Sequence, residues 1–208
     1  LLGSAGVRRV RRYTRTGWLG ESIFLIPGLE PEGIEITLPR KLPYQLPRDG
    51  DLPKGLLALE HLVKAMPPRR STVALAALLE APLARLAGWQ DERYALFIAG
   101  RTGSLKTTWT QKAMSLYGPR FADDGLLVKW GEGATRNAIM NMATSASDLP
   151  FLIDNYKPNT GGGTNDFTNL VHNILEGGEK DRLSRTAVLR ETKPVFCWPV
   201  FTGEDVPD

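Results

Sequence analysis

Tyr94–Ala99 (YALFIA) forms an unbroken apolar run that leads directly into Gly100-Arg101-Thr102-Gly103-Ser104-Leu105-Lys106-Thr107-Thr108. A continuous apolar run of this kind is the signature of a strand buried on both faces of a parallel sheet. Beyond the glycine loop the pattern predicts a helix from Thr107 to about Tyr117. The alternation then continues. Leu126–Trp130 (LLVKW), Leu149–Ile153 (LPFLI) and Val195–Phe201 (VFCWPVF) read as strands, with helices over Thr135–Ala143 and Asn165–Leu175. Strands alternating with helices predict an α/β fold with a doubly wound, mostly parallel sheet over residues 89–208. With 42% hydrophobic and 24% charged residues in a 208-residue chain, a packed core is expected and a wholly disordered chain is excluded. No apolar run has membrane-spanning length, so no contact with a bilayer is expected.

The first 70 residues have a different texture. Pro27, Pro31, Pro39, Pro43, Pro47, Pro53, Pro67 and Pro68 forbid long helices and central strands there. Ser22–Ile26 and Ile34–Leu38 fit short strands, and Leu56–Met66 has helical spacing, so a small β-rich and helical lead-in is expected. Residues 71–88 form a linking helix capped by Ser71, kinked or split by Pro82 and ended by Gly88. Arg8, Arg9, Arg11, Arg12 and Arg15 all precede the first acid, Glu21, and without these five charges the net +3 becomes −2. Such an arm either contacts nucleic-acid phosphates or is simply solvated. Cys197 is the sole cysteine, which excludes an internal disulfide and points to a reducing, cytoplasmic compartment. Two histidines, His61 and His172, leave little for transition-metal chemistry. His172, Cys197, Trp130 and Trp198 are expected to be packing residues.

The glycine loop carries the chemistry. A nucleoside triphosphate needs backbone N–H groups, a helix amino terminus, a lysine for its terminal phosphates and a hydroxyl for Mg²⁺. Gly100 and Gly103 permit the turn, with Thr102, Ser104 and Thr108 completing the phosphate-binding segment. Lys106 stands at the clamping position and Thr107 at the metal-ligating one. Leu105 occupies a place where the G-x-x-x-x-G-K-[ST] pattern has glycine, so its backbone is expected to keep angles ordinary for an L-residue. Such a loop calls for a strand-end carboxylate to order the Mg²⁺ shell, and Asp154 after Leu149–Ile153 supplies one. Asn155 follows it where a glutamate would polarise the attacking water, and an amide cannot act as a base. Another carboxylate does that task, or Asn155 only orients water, or hydrolysis is slow. Thr202, in Thr202-Gly203-Glu204-Asp205, falls where a polar group on a neighbouring strand reaches the γ-phosphate or the water.

Taken in series, Gly17-Trp18, Ala81-Pro82-Leu83, Gly100–Thr107, Trp130, Ala134–Asn137, Leu152–Asn155, Arg182–Leu189 and Thr202–Asp205 resemble a family of P-loop ATPases of phages, plasmids and integrative elements. That family is catalogued as a bacterial domain of unknown function and is similar to AAA+ replicative helicases. The resemblance implies an AAA+-like core, tolerance of a non-glycine before the lysine, and an acidic residue after the strand-end aspartate, from which Asn155 departs. It also implies a homo-oligomeric ring with ATP at subunit boundaries and an arginine supplied by the neighbour, for which Arg182, Arg185 and Arg190 are candidates. A fifth core strand and a helical lid are missing from the series, so the core is expected to be truncated at its carboxyl end. The function expected is a helicase-like motor ATPase acting on DNA in the replication of a mobile element, with ATP and Mg²⁺ as cofactors. Its catalytic residues would be Lys106, Asn155 and Thr202, and its metal ligands Thr107 and Asp154. The competing expectation is a nucleotide-binding switch or assembly module without turnover.

Overall fold

The computed structural model describes residues 9–157, 163–177 and 194–205. Chain order is β1 (Arg11–Tyr13), β2 (Gly17–Leu19), β3 (Ile23–Leu25), β4 (Ile34–Ile36), α1 (Leu52–Lys64) and α2 (Pro68–Glu80). The second half follows with β5 (Leu96–Ala99), α3 (Lys106–Met114), α4 (Arg136–Ser145), β6 (Pro150–Tyr156), α5 (Gly163–Leu175) and β7 (Trp198–Gly203). The protein is thus α/β, with a parallel three-stranded sheet in which β7, last in the chain, lies between β5 and β6. Strand β6 is buried apart from Asn155, and β7 is buried throughout. Both carry apolar side chains to either face, as strands covered on two sides must. Phe167 of α5 sits at the centre of the aromatic packing, 4.1 Å from Tyr156, 4.8 Å from Phe201 and 5.3 Å from Trp130 between ring centroids.

Two strands depart from expectation. Strand β5 is half-buried, not enclosed, because among the described residues it pairs with β7 alone. The stretch expected to be a strand at Leu126–Trp130 opens in a single 3-10 turn at Asp124–Leu126, capped by Asp123. Only residues 128–130 then run beside β6. The Asp154 N–H donates to the Val128 carbonyl at 2.8 Å, and the Trp130 N–H donates to the Asp154 carbonyl at 2.9 Å. The pairing is parallel, with Lys129 opposite Asp154.

The lead-in is more ordered than its prolines suggest. Strand β1 pairs parallel with β4, and β2 pairs antiparallel with β3. Part of the arginine arm is therefore strand. Arg12 pairs with Glu35 at 2.9 Å, and Arg15 donates to the carbonyls of Thr16 and Trp18. Helix α1 begins four residues earlier than its leucine spacing indicates. Asp51 accepts from the Lys54 N–H at 3.0 Å and a proline stands in the first turn, which together make a strong start signal. Helix α2 stops at Glu80, two residues before Pro82, and the chain proceeds through turns to Gly88 at φ 76°.

The lead-in is fastened to the core at Asp148, a buried residue in the turn before β6. Its carboxylate accepts from the Trp18 N–H at 2.9 Å, while the Thr16 hydroxyl donates to the Ser147 carbonyl. The Trp18 indole N–H donates to the Pro82 carbonyl at 2.8 Å, which brings two separated sequence features, Gly17-Trp18 and Ala81-Pro82-Leu83, into one contact. Arg93 provides a second fastening. Its guanidinium donates to the carbonyls of Ile174 and Leu175 at the end of α5 and of Val195 before β7, satisfying acceptors that a helix end leaves open. Burial of Cys197 pushes its thiol up to about 12, so it is an inert packing residue. Trp130 and Trp198 are also core, whereas His172 lies exposed on α5 and is not a packing residue.

Candidate functional site at the carboxyl end of the sheet

Strand β5 ends at Ala99, the loop of residues 100–105 follows, and α3 starts at Lys106. The two glycines meet different needs. A Cβ at Gly100 would stand 2.8 Å from the Ser104 hydroxyl, which would have to turn aside to admit it. Gly103, at φ 79° with nothing within 4 Å of an added Cβ, is closed by conformation. The loop is tied to the sheet by the Gly100 N–H on the Gly203 carbonyl and to itself by the Ser104 N–H on the Arg101 carbonyl. The Thr102 hydroxyl donates to Glu204 beyond β7. Lys106 Nζ lies against the Arg101 carbonyl at 3.3 Å, folded over the loop it springs from.

Leu105 does not keep ordinary angles. It caps α3 at φ 61° and ψ 15°, in the left-handed region, and the residue is 69% exposed. The loop enforces the glycine geometry and the leucine tolerates it, at a cost of about 1–2 kcal/mol for an L-residue. Replacing an exposed leucine by glycine ordinarily lowers stability, because the unfolded chain gains freedom. Here the two effects oppose each other. Leu105→Gly is expected to leave the thermal midpoint unchanged or raised, as measured by circular dichroism melting.

Asp154 lies in β6 close to its carboxyl end and is 5% exposed. Its Oδ1 accepts from the Thr107 hydroxyl at 2.7 Å and from the Thr202 hydroxyl of β7. A β-bulge accounts for the local geometry. From Ile153 to Tyr156 is three steps on β6, while the partner β7 advances two, from Phe201 to Gly203. Bulges of this kind re-aim side chains and recur beside functional sites. Asn155 occupies the bulge at φ 65°, a conformation asparagine accepts more readily than most residues. Its backbone N–H donates to the Thr202 hydroxyl at 3.4 Å, and its side-chain amide donates to Glu132 Oε1 at 2.7 Å. Glu132, two residues past the short pairing of 128–130 with β6, also meets Lys129 Nζ at 3.5 Å.

The structure therefore brings together Lys106, Thr107, Asp154, Asn155 and Thr202, which the sequence singles out, and adds Glu132. Arg182, Arg185 and Arg190 lie outside the described residues. The donor set suits a hard divalent cation: one buried carboxylate oxygen with two hydroxyls converging on it. Among the described residues no three His, Cys, Asp or Glu side chains cluster. A cation held by Thr107 and Asp154 would thus take its other ligands from water and phosphate oxygens, which is the habit of Mg²⁺.

Fold and site together define an α/β protein with a parallel sheet and a strand–glycine loop–helix turn facing a buried carboxylate. A family model described as Domain of unknown function (DUF927) matches residues 4–194, and the chain belongs to that family. No curated protein and no solved structure matches it. Among the described residues, no helix is long and apolar enough to cross a membrane.

Proposed function

We propose that the chain binds ATP·Mg²⁺ at the loop of residues 100–108 and hydrolyses it, as the nucleotide-driven part of a helicase-like motor acting on DNA. The observation that carries this reading is the 2.7 Å contact between Thr107, second residue of α3, and Asp154 of the parallel sheet. A hydroxyl and a carboxylate held together directly beside a lysine-bearing loop are the groups a phosphate and Mg²⁺ site needs, which supports this reading. The order of β5, β7, β6 and residues 128–130 across the sheet fits the wound P-loop type, with the loop at the carboxyl ends of the strands where α/β proteins bind ligands.

Each residue has a task in this reading. The amino terminus of α3 and the loop N–H groups meet the phosphate charge. Lys106 exchanges the Arg101 carbonyl for the terminal phosphates. Thr107 and Asp154 would hold Mg²⁺, which would supply positive charge against that of the phosphates. Thr202, already bonded to Asp154 and to the Asn155 N–H, orients the water. The exposed Arg9 and Arg11 at β1 favour a polyanionic partner, and the family resemblance favours a ring of identical subunits. Asn155 favours the alternative of a nucleotide-dependent switch without turnover.

Isothermal titration with ATP·Mg²⁺, followed by phosphate release with and without single-stranded DNA, tests the reading. Lys106→Ala should weaken ATP binding at least tenfold without loss of helical signal, since a charge-assisted phosphate contact contributes about 1.5–3 kcal/mol. Equal affinity in the two proteins would refute the site. Binding without phosphate release would select the switch, and release indifferent to DNA would remove DNA as the partner.

A further inference from the structure

We infer that Glu132 is the carboxylate that takes the proton from the attacking water, in place of a glutamate at position 155. The inference rests on the ATPase reading above and deepens it by naming its general base. Its ground is a contact between elements far apart in the chain. Residues 128–130 run parallel to β6, and their pairing with Asp154 sets Glu132 opposite the bulge, where Asn155 Nδ2 donates to Glu132 Oε1 at 2.7 Å. The position following Asp154 thus lacks a carboxylate on its own side chain yet has one within a hydrogen bond. The same asparagine touches Thr202 through its backbone N–H, and Thr202 touches Asp154. Glu132 is consequently the fourth member of a chain of contacts that starts at the metal-ligating carboxylate.

The chemistry suits the groups. Glu132 is exposed, so its carboxylate is open to water. Its two oxygens are held by different partners: Oε1 accepts from Asn155, and Oε2 lies 3.5 Å from Lys129 Nζ. The Asn155 amide has two N–H donors and one oxygen. One N–H fixes the carboxylate, which leaves the other groups to orient the water. The left-handed backbone at 155 explains the division of labour: asparagine accepts φ 65°, whereas glutamate there would be strained and would face Glu132 as a like charge. In the step itself the water oxygen bonds to the γ-phosphorus as the bond from that phosphorus to the bridging oxygen breaks. The bridging electron pair leaves with ADP. The water proton passes to the Glu132 carboxylate and from there to solvent, so the carboxylate is regenerated.

Steady-state phosphate release and ATP affinity by calorimetry, on the whole chain, test the assignment with Glu132→Gln and Lys106→Ala side by side. The Glu132→Gln protein should fold as before, because the position is exposed and the new amide oxygen can still accept from Asn155. Glu132→Gln should lower kcat by about 10²–10⁴-fold, the usual worth of a general base, while ATP affinity stays within twofold. A purely structural role would move affinity or melting along with rate. Turnover in Glu132→Gln within threefold of the unaltered chain overturns the inference while leaving the nucleotide site intact. Absence of phosphate release from the unaltered chain overturns it too, with ATP binding retained. Loss of the Lys106 dependence of binding instead brings down the reading on which it rests.

Discussion

Asp154→Asn is expected to reduce phosphate release by roughly a thousandfold while the protein stays folded. The substitution preserves shape and keeps an oxygen that accepts from Thr107 and Thr202, so the two hydroxyl contacts survive. What disappears is the negative charge. A cation bound between Thr107 and position 154 then loses its carboxylate ligand, and charge stabilisation of several kcal/mol in the transition state corresponds to that thousandfold. The folded state should be no weaker for the change. A buried carboxylate held by hydroxyls is costly to desolvate, and the neutral amide lowers that cost, offsetting the N–H groups it brings. The measurement is steady-state release at saturating ATP with rising Mg²⁺, beside a melting curve. A loss of rate with an unchanged or raised midpoint is the expected pair of results. Undiminished turnover would remove Asp154 from the metal site, and a collapsed melting curve would make it a structural residue.

The sites legible in the sequence are those whose meaning is local. YALFIA followed by a glycine loop and a lysine announces strand, turn and helix through nearest neighbours, and Leu149–Ile153 announces a buried strand ending near a carboxylate. Their actual proximity, Thr107 to Asp154 across 47 positions, is a consequence of the sheet and not of either motif. Glu132 is invisible in the sequence for the same reason. It follows a glycine in a turn-like stretch, and nothing in WGEG says that residues 128–130 pair with β6 or that a bulge turns Asn155 toward it. Leu105 shows the opposite failure. Its side chain suggests an ordinary backbone, but the loop's closure overrides residue preference, and the glycine-like conformation persists without glycine. In the lead-in, β3 and β4 are equally short but carry isoleucines that mark them as strands, whereas β1 is mostly charged and β2 opens on a glycine, so both escape pattern reading. Arg11–Tyr13 has no apolar periodicity, and its strand state comes from its partner Ile34–Ile36.

Gly17→Ala should lower the stability of the whole chain by on the order of 3 kcal/mol, combining backbone strain with overpacking. The position is doubly constrained. Its φ of 95° is a conformation L-residues rarely adopt, and an added Cβ would lie 2.4 Å from Asp148 Oδ2 and 2.6 Å from the Ser147 carbonyl oxygen. Neither neighbour can yield cheaply. The Ser147 carbonyl is backbone that accepts from Thr16, and the Asp148 carboxylate is buried, with the Trp18 N–H and the Ser147 hydroxyl as donors. Pushing Gly17 away would therefore break the contact that holds the lead-in to the turn before β6, and with it the Trp18 indole contact to Pro82. For a chain of this size such a loss lowers the melting midpoint by roughly 10 °C. Trp18 sits 5.1 Å from Phe24 between ring centroids and would report the detachment through its fluorescence. The effect on ATP affinity should be small, because Asp148 stands at the opposite end of β6 from the glycine loop of residues 100–105. A midpoint unchanged in Gly17→Ala would mean that the lead-in is not coupled to the core through this contact. A loss of ATP binding in a folded Gly17→Ala protein would mean that the strain travels along β6 to Asp154.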